Sequence, residues 1–144
     1  MLYPIGIQNF SDLRQGGYVY VDKTHLLHSL YRNGKYYFLS RPRRFGKSLL
    51  ISTMQAFFEG KKELFKGLAI EELEKEWNEF PVLRIDFTGK KYSSIEDLYS
   101  MLDKHLGAFE AQYGIKQRYP SMDLRFQTII EAAYRCTGRQ VVIL

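Results

Sequence analysis

Between Lys35 and Gly60 the hydrophobic pattern changes period, and that change constrains the fold more than any other feature of the chain. Lys35 to Ser40 reads Lys-Tyr-Tyr-Phe-Leu-Ser, a short aromatic and apolar run with turn residues on both sides, as expected of a buried strand. Arg41-Pro42-Arg43-Arg44-Phe45-Gly46 does not continue it comfortably, because Pro42 lacks the N–H that a central strand donates. From Lys47 onward Leu49, Leu50, Met54, Phe57 and Phe58 recur at helical spacing, and Gly60 supplies the stop. A strand that feeds a helix through a basic loop ending in glycine is one step of an alternating α/β chain.

The rest of the sequence repeats the alternation. Ser11-Asp12-Leu13 starts a short helical turn ending at Gly16-Gly17, and Tyr18 to Val21 reads as extended. Asp22 is a plausible N-cap for a helix with Leu26, Leu27 and Leu30 on one face, ended by Asn33-Gly34. Glu71 to Asn78 is acidic and weakly helical. Pro81 to Phe87 is a second strand, with Pro81 at its first position where a missing N–H is tolerated. Ser94 followed by Asp97 has capping-box spacing ahead of a helix that reaches about Tyr113, with Ile95, Leu98, Leu102 and Leu106 as its apolar face. Ser121 or Asp123 caps another helix to about Cys136, burying Phe126, Ile129, Ile130 and Ala133. Gln140 to Leu144 is a third strand, apolar enough to be covered on both faces. This order predicts an α/β fold, a parallel sheet with right-handed helical crossovers.

Composition narrows the class. A length of 144 residues suits one domain, and a hydrophobic share of 45% with a net charge of +5 excludes a disordered chain. The single cysteine, Cys136, excludes a disulfide scaffold, and it reads as a small buried hydrophobe. No apolar run approaches the roughly 20 residues that span a bilayer. Met1-Leu2-Tyr3-Pro4 lacks the basic and apolar blocks of a signal peptide. The expectation is a cytoplasmic protein with no membrane partner.

The charge is local. Six of the 21 basic residues, Arg32, Lys35, Arg41, Arg43, Arg44 and Lys47, lie in one stretch without an acid, so the remaining fifteen face 16 acids. One basic loop on a near-neutral body suggests a discrete anion site, while a solvated charge cluster is the plain alternative. Strand, then Arg-Pro-Arg-Arg-Phe-Gly-Lys-Ser, then helix is the context of a phosphate-binding loop. In such a loop, backbone N–H groups and the helix N-terminus bind phosphate oxygens. Gly46 admits the phosphate without a Cβ in the way, the Lys47 ammonium reaches the β- and γ-phosphates, and the Ser48 hydroxyl is an oxygen ligand for Mg²⁺. The match is incomplete, because Arg41 stands where G-x-x-x-x-G-K-[ST] has its first glycine.

Tyr20-Val21-Asp22-Lys23-Thr24, Arg41 through Leu49, Phe57-Phe58-Glu59-Gly60 and Pro81-Val82-Leu83 together resemble the predicted AAA-ATPase-like domain of bacterial proteins. Those proteins often carry a C-terminal PD-(D/E)XK nuclease-like domain. The resemblance covers nearly the whole chain. It implies a P-loop NTPase core with helices on both faces of its sheet, and ATP and Mg²⁺ as ligands. It makes Arg41 at the first glycine position normal. The implied site is Arg43, Arg44, Phe45, Gly46, Lys47, Ser48 and Leu49 for nucleotide (Walker A), with Lys47 catalytic and Ser48 on the metal. It also implies an Asp-Glu pair directly after the Gln140–Leu144 strand. On that reading residues 1–144 are the N-terminal part of one domain, with a lead-in over 1–34 and a sheet truncated after its third core strand. Such a piece is expected to bind nucleotide weakly and to hydrolyse it poorly, and the expected partners are nucleotide and the nuclease-like domain.

Several residues keep two readings. Arg43 and Arg44 suit a γ-phosphate or a nucleic-acid backbone, and a module that binds nucleic acid through 41–47 without nucleotide chemistry is the alternative function. Asp86, at the end of the second strand, suits Mg²⁺ or its water, or a local cap. Asp22 and Lys23 are guessed to pack near the nucleotide, and a helix cap explains Asp22 equally well. Tyr36, Tyr37 and Phe38 suit base stacking or, at alternate positions, the core. His25 and His28 lack a third metal ligand and read as ordinary, as does His105.

Overall fold

The computed structural model describes residues 2–88 and 92–144. It divides into two compact units, Met1–Glu79 and Phe80–Leu144. It is helix-rich, with a small parallel sheet of two strands among the described residues. No helix among those residues is long and apolar enough to cross a membrane.

The first unit is helical. Its elements are α1 (Phe10–Gln15), α2 (Thr24–Asn33), α3 (Lys47–Phe58), a 3-10 turn (Lys62–Phe65) and α4 (Ala69–Leu73). Asn9 starts α1 by accepting from the N–H groups of Ser11 and Asp12 through its side chain. The core gathers Phe10, Leu13, Leu27, Phe57, Phe58, Phe65 and Ile70, all buried. Its aromatic rings meet mostly edge to face or tilted, Phe10 on Phe65 at 4.9 Å and Trp77 on Phe57 at 5.7 Å. On α2, Leu27 faces inward as expected, while Leu26 is half exposed. The Asp22 cap takes a different form. Lys23 occupies the N-cap position, and Asp22 accepts from the Thr24 N–H and hydroxyl through one oxygen and from the Ala69 N–H through the other. The carboxylate therefore ties the start of α2 to the start of α4.

The strand expected over Lys35–Ser40 does not form: Lys35 is a bend, residues 36–40 have no regular structure, and none of them pairs with a neighbour among the described residues. A strand exists only through its ladder, and nothing there supplies one. Tyr36 and Phe38, whose rings suited a core, stand fully exposed.

The second unit is a β-α-α-β arrangement: β1 (Val82–Leu83), α5 (Ile95–Gln112), α6 (Met122–Thr137) and β2 (Val142–Ile143). The strands are parallel, Val82 opposite Val142 and Leu83 opposite Ile143. Pro81 accepts from Val142 N–H through its carbonyl, so its missing N–H costs nothing there. Both strands are shorter than the sequence suggested, although the ladder continues in the bond from Ile85 N–H to the Leu144 carbonyl. Leu83, Leu106, Phe109 and Ile129 form the core, with Ile85, Phe126, Ile130 and Val141 against it. The Ser94 cap forms as predicted: Ser94 Oγ accepts from Asp97 N–H, and the Asp97 carboxylate accepts from Ser93 N–H. Gly138, left-handed at φ 63°, ends α6. Cys136, expected inside, is exposed near the end of that helix.

Candidate functional site

The site is built outward from α3. Its buried face, Ser52, Thr53, Ala56, Phe57 and Phe58, holds the helix in the first unit. Phe10 N–H donates to Ser52 Oγ at 3.0 Å, and the Ser52 hydroxyl donates to the Leu49 carbonyl at 2.8 Å. This joins the first residue of α1 to the second turn of α3. Thr53 Oγ1 also donates to the Leu49 carbonyl and is hydrogen-bonded to Tyr20. Burial raises the Tyr20 hydroxyl above its ordinary pKa, with the bond to Thr53 working the other way. Sequence reasoning missed Ser52 and Thr53. Two small polar residues inside an apolar helical run were the available signal, because such residues stay buried only when hydrogen-bonded.

At its N-terminus α3 is open. Gly46 is the N-cap at φ 73°, ψ 20°, and no side chain caps the helix. The first intrahelical bond runs from Leu50 N–H to the Gly46 carbonyl at 2.9 Å. The N–H groups of the first turn are thus left to an external acceptor, with the positive end of the helix dipole behind them. A Cβ at Gly46 would meet nothing within 4 Å, so glycine is required there by conformation and not by crowding. Arg44 is also left-handed, at φ 67°.

The predicted residues 43–49 are contiguous and divide by exposure. Arg43, Arg44, Phe45 and Gly46 are exposed, while Lys47, Ser48 and Leu49 are half-buried in the first turn. Lys47 Nζ donates to the carbonyls of Arg41 at 2.7 Å and Pro42 at 2.8 Å, so the ammonium is held over its own loop. No hydrogen bond or ion pair engages the side chains of Arg41, Arg43, Arg44 or Ser48 among the described residues. The donor set fits a phosphate group and its metal: open helix N–H groups, a fixed ammonium, a free hydroxyl and three unpaired guanidinium groups.

Other candidates are occupied locally. Asp86 accepts from Thr88 N–H at 2.8 Å, and Arg84 lies 3.6 Å from it. The hydrogen bonds from Thr88 hold its carboxyl below the usual range. Both oxygens of Asp22 are taken, as described above. Burial would raise its pKa, and the bonds from Ala69 and Thr24 more than offset that. His28 faces Glu74 at 3.6 Å.

The pattern of the family described as Predicted AAA-ATPase matches residues 4–144. A protein of Azotobacter chroococcum mcd 1, described as an uncharacterized protein in the vnfD 5' region, is 40% identical over 142 residues. The alignment covers 98% of this chain and 28% of that protein, so the chain spans little more than a quarter of the relative's length. No solved structure matches the chain.

Proposed function

The chain belongs to the AAA-ATPase-like family, described as predicted AAA-ATPases, and from that premise we propose that it binds ATP with Mg²⁺ through residues 43–49. The observation that carries this reading is the uncapped start of α3. A left-handed Gly46 opens the helix end, and Lys47 and Ser48 follow it directly.

Each residue has a task that its position supports. The backbone from Arg43 to Leu49 offers N–H groups to the phosphates. Gly46 keeps that backbone free of a Cβ. Lys47 is a point charge already aimed across the loop, and a phosphoryl oxygen replaces the two carbonyls that hold it now. Ser48 would contribute a hydroxyl oxygen to Mg²⁺, a cation that prefers oxygen ligands. Arg43 and Arg44 neutralise the outer phosphates. Bound Mg²⁺ and ATP supply a transferable γ-phosphoryl group. Hydrolysis needs carboxylates that orient the attacking water besides these residues, and it is proposed only for a longer protein of this family. A nuclease-like partner domain remains part of the proposal for that longer protein.

Calorimetric titration of ATP and GTP with Mg²⁺ into the protein and its Lys47→Ala variant tests this. Saturable binding that the variant loses supports it. Absence of binding at millimolar nucleotide, or binding indifferent to Lys47, overturns it. Arg41, Arg43 and Arg44, which have no side-chain partner among the described residues, favour one second reading, contact with a nucleic-acid backbone. That reading predicts binding that weakens steeply with salt and ignores ATP.

A further inference from the structure

The hydroxyls of Ser52 and Thr53 meet at one acceptor. Both donate to the Leu49 carbonyl, each at 2.8 Å. That carbonyl belongs to the same rigid peptide group as the Leu50 N–H, which donates to the Gly46 carbonyl at 2.9 Å. The peptide between Leu49 and Leu50 is thus held at both ends, and its amide end holds the left-handed residue that opens α3. Both side chains are buried, Ser52 at 7% exposure and Thr53 at 1%. The same hydroxyl groups also reach the lead-in. Ser52 Oγ accepts from Phe10 N–H at 3.0 Å, and Thr53 is hydrogen-bonded to Tyr20. The rings of Phe10 and Tyr20 pack edge to face at 5.2 Å, which closes the cluster. Helix stability alone does not favour this arrangement. Serine and threonine are poorer helix formers than alanine or leucine, and a hydroxyl turned back on a carbonyl of the preceding turn weakens and bends a helix slightly.

We propose that Ser52 and Thr53 are positioning residues for the proposed phosphate loop. They set the Leu49–Leu50 peptide and through it the backbone of Gly46, and Phe10 and Tyr20 carry this setting from the lead-in. The inference rests on the nucleotide reading for its ligand and on the hydrogen bonds for its geometry. Neither side chain touches the ligand, and each acts through backbone that does. Helix N–H groups bind a phosphate only while they converge on it, and such a site tolerates only about 0.5 Å of displacement. Removing the Thr53 hydroxyl takes one of two side-chain donors from the Leu49 carbonyl and the Thr53 partner from Tyr20, so the loop and the lead-in lose a shared link. Valine at this position keeps the branched shape, so its effect is that of the hydroxyl.

Hydrogen exchange read amide by amide, together with titration of ATP and Mg²⁺, tests the proposal on the wild type and on Thr53→Val, Thr53→Ser and Ser52→Ala. In ligand-free protein the Leu50 amide should exchange roughly tenfold faster in Thr53→Val, measured against the amides of Phe57 and Phe58 in the same helix. ATP affinity per folded molecule should fall roughly tenfold in that variant and return in Thr53→Ser, which keeps the hydroxyl. Asp22→Ala is the control, because it lowers stability without removing a bond to Ser52 or Thr53. An affinity loss in Thr53→Val no larger than in Asp22→Ala overturns the proposal. So does faster exchange spread evenly along α3. If the wild type binds no nucleotide at millimolar concentration, the proposed function fails, and the Leu50 amide alone decides whether these hydroxyls set the loop. If Thr53→Val does not fold, Ser52→Ala carries both measurements.

Discussion

At the scale of single residues, Gly46 separates stability from binding. Its φ of 73° costs an L-residue about 1 kcal/mol, and an added Cβ would touch nothing within 4 Å. Gly46→Ala should therefore lower stability by about 1 kcal/mol in a denaturant melt. Nucleotide affinity should fall further, about tenfold or more, because the methyl group intrudes where backbone meets phosphate. Equal losses in the two measurements would argue against phosphate contact at this loop. Asp22 shows the opposite case, a residue with a structural task. Its three hydrogen bonds join α2 to α4, and Asp22→Ala should cost about 1–2 kcal/mol in stability without altering nucleotide affinity per folded molecule. Its position in a family-like segment was legible in the sequence. Its partner, the backbone of Ala69, lies 47 residues away, and no local pattern encodes such a pairing.

At the scale of elements, α5 and α6 are joined by an ion pair as well as by apolar packing. Arg125, 4% exposed, donates to both oxygens of Glu110 at 2.6 and 2.9 Å and to Asp103 at 2.5 Å, and Arg118 also reaches Asp103. Hydrogen bonds from Arg125 hold Glu110 below the ordinary carboxylate range, and those from Arg118 and Arg125 do the same for Asp103. A carboxyl depressed in the folded state adds stability above its unfolded pKa and loses it as pH falls through the folded value. Stability should accordingly fall as pH drops below the ordinary carboxylate range, and Glu110→Gln should flatten that slope while lowering stability at neutral pH. Arg125→Ala should cost about 3 kcal/mol by stranding a carboxylate, whereas the paired change Glu110→Leu with Arg125→Met should cost less than either single replacement. Urea melts of the wild type, the Glu110→Leu and Arg125→Met single variants and their double decide it, and additive losses would mean the groups act separately. Capping and periodicity made α5 and α6 readable in advance, since Ser94, Asp97 and Gly138 act within a turn of their helix. Arg125 was not readable, because on the helical wheel it is one more charge. The stretch Lys35–Ser40 had a strand's composition, yet composition supplies only half of a ladder and the pairing partner supplies the rest.

At the scale of the whole molecule, what matters is where binding energy appears. The positive excess of the chain lies between Arg32 and Lys47, inside the first of the two units. A ligand that binds the folded site and not the unfolded chain stabilises by about 2.7 kcal/mol at a concentration 100 times its Kd. That increment belongs to openings that destroy the site. Amides of α3 that exchange through such openings should slow about 100-fold with saturating ATP and Mg²⁺, and should not respond in Lys47→Ala. Amides of Phe80–Leu144 should respond only to the extent that they open together with the site, so the same experiment reports whether the two units unfold as one. A polyanion held by the arginines behaves differently. It releases counterions, so its protection should fade as salt rises and persist when Lys47 is replaced. Protection of α3 that needs Mg²⁺ and Lys47 together would tie the local charge to a nucleotide, and protection that needs neither would assign the same six cations to a nucleic-acid backbone.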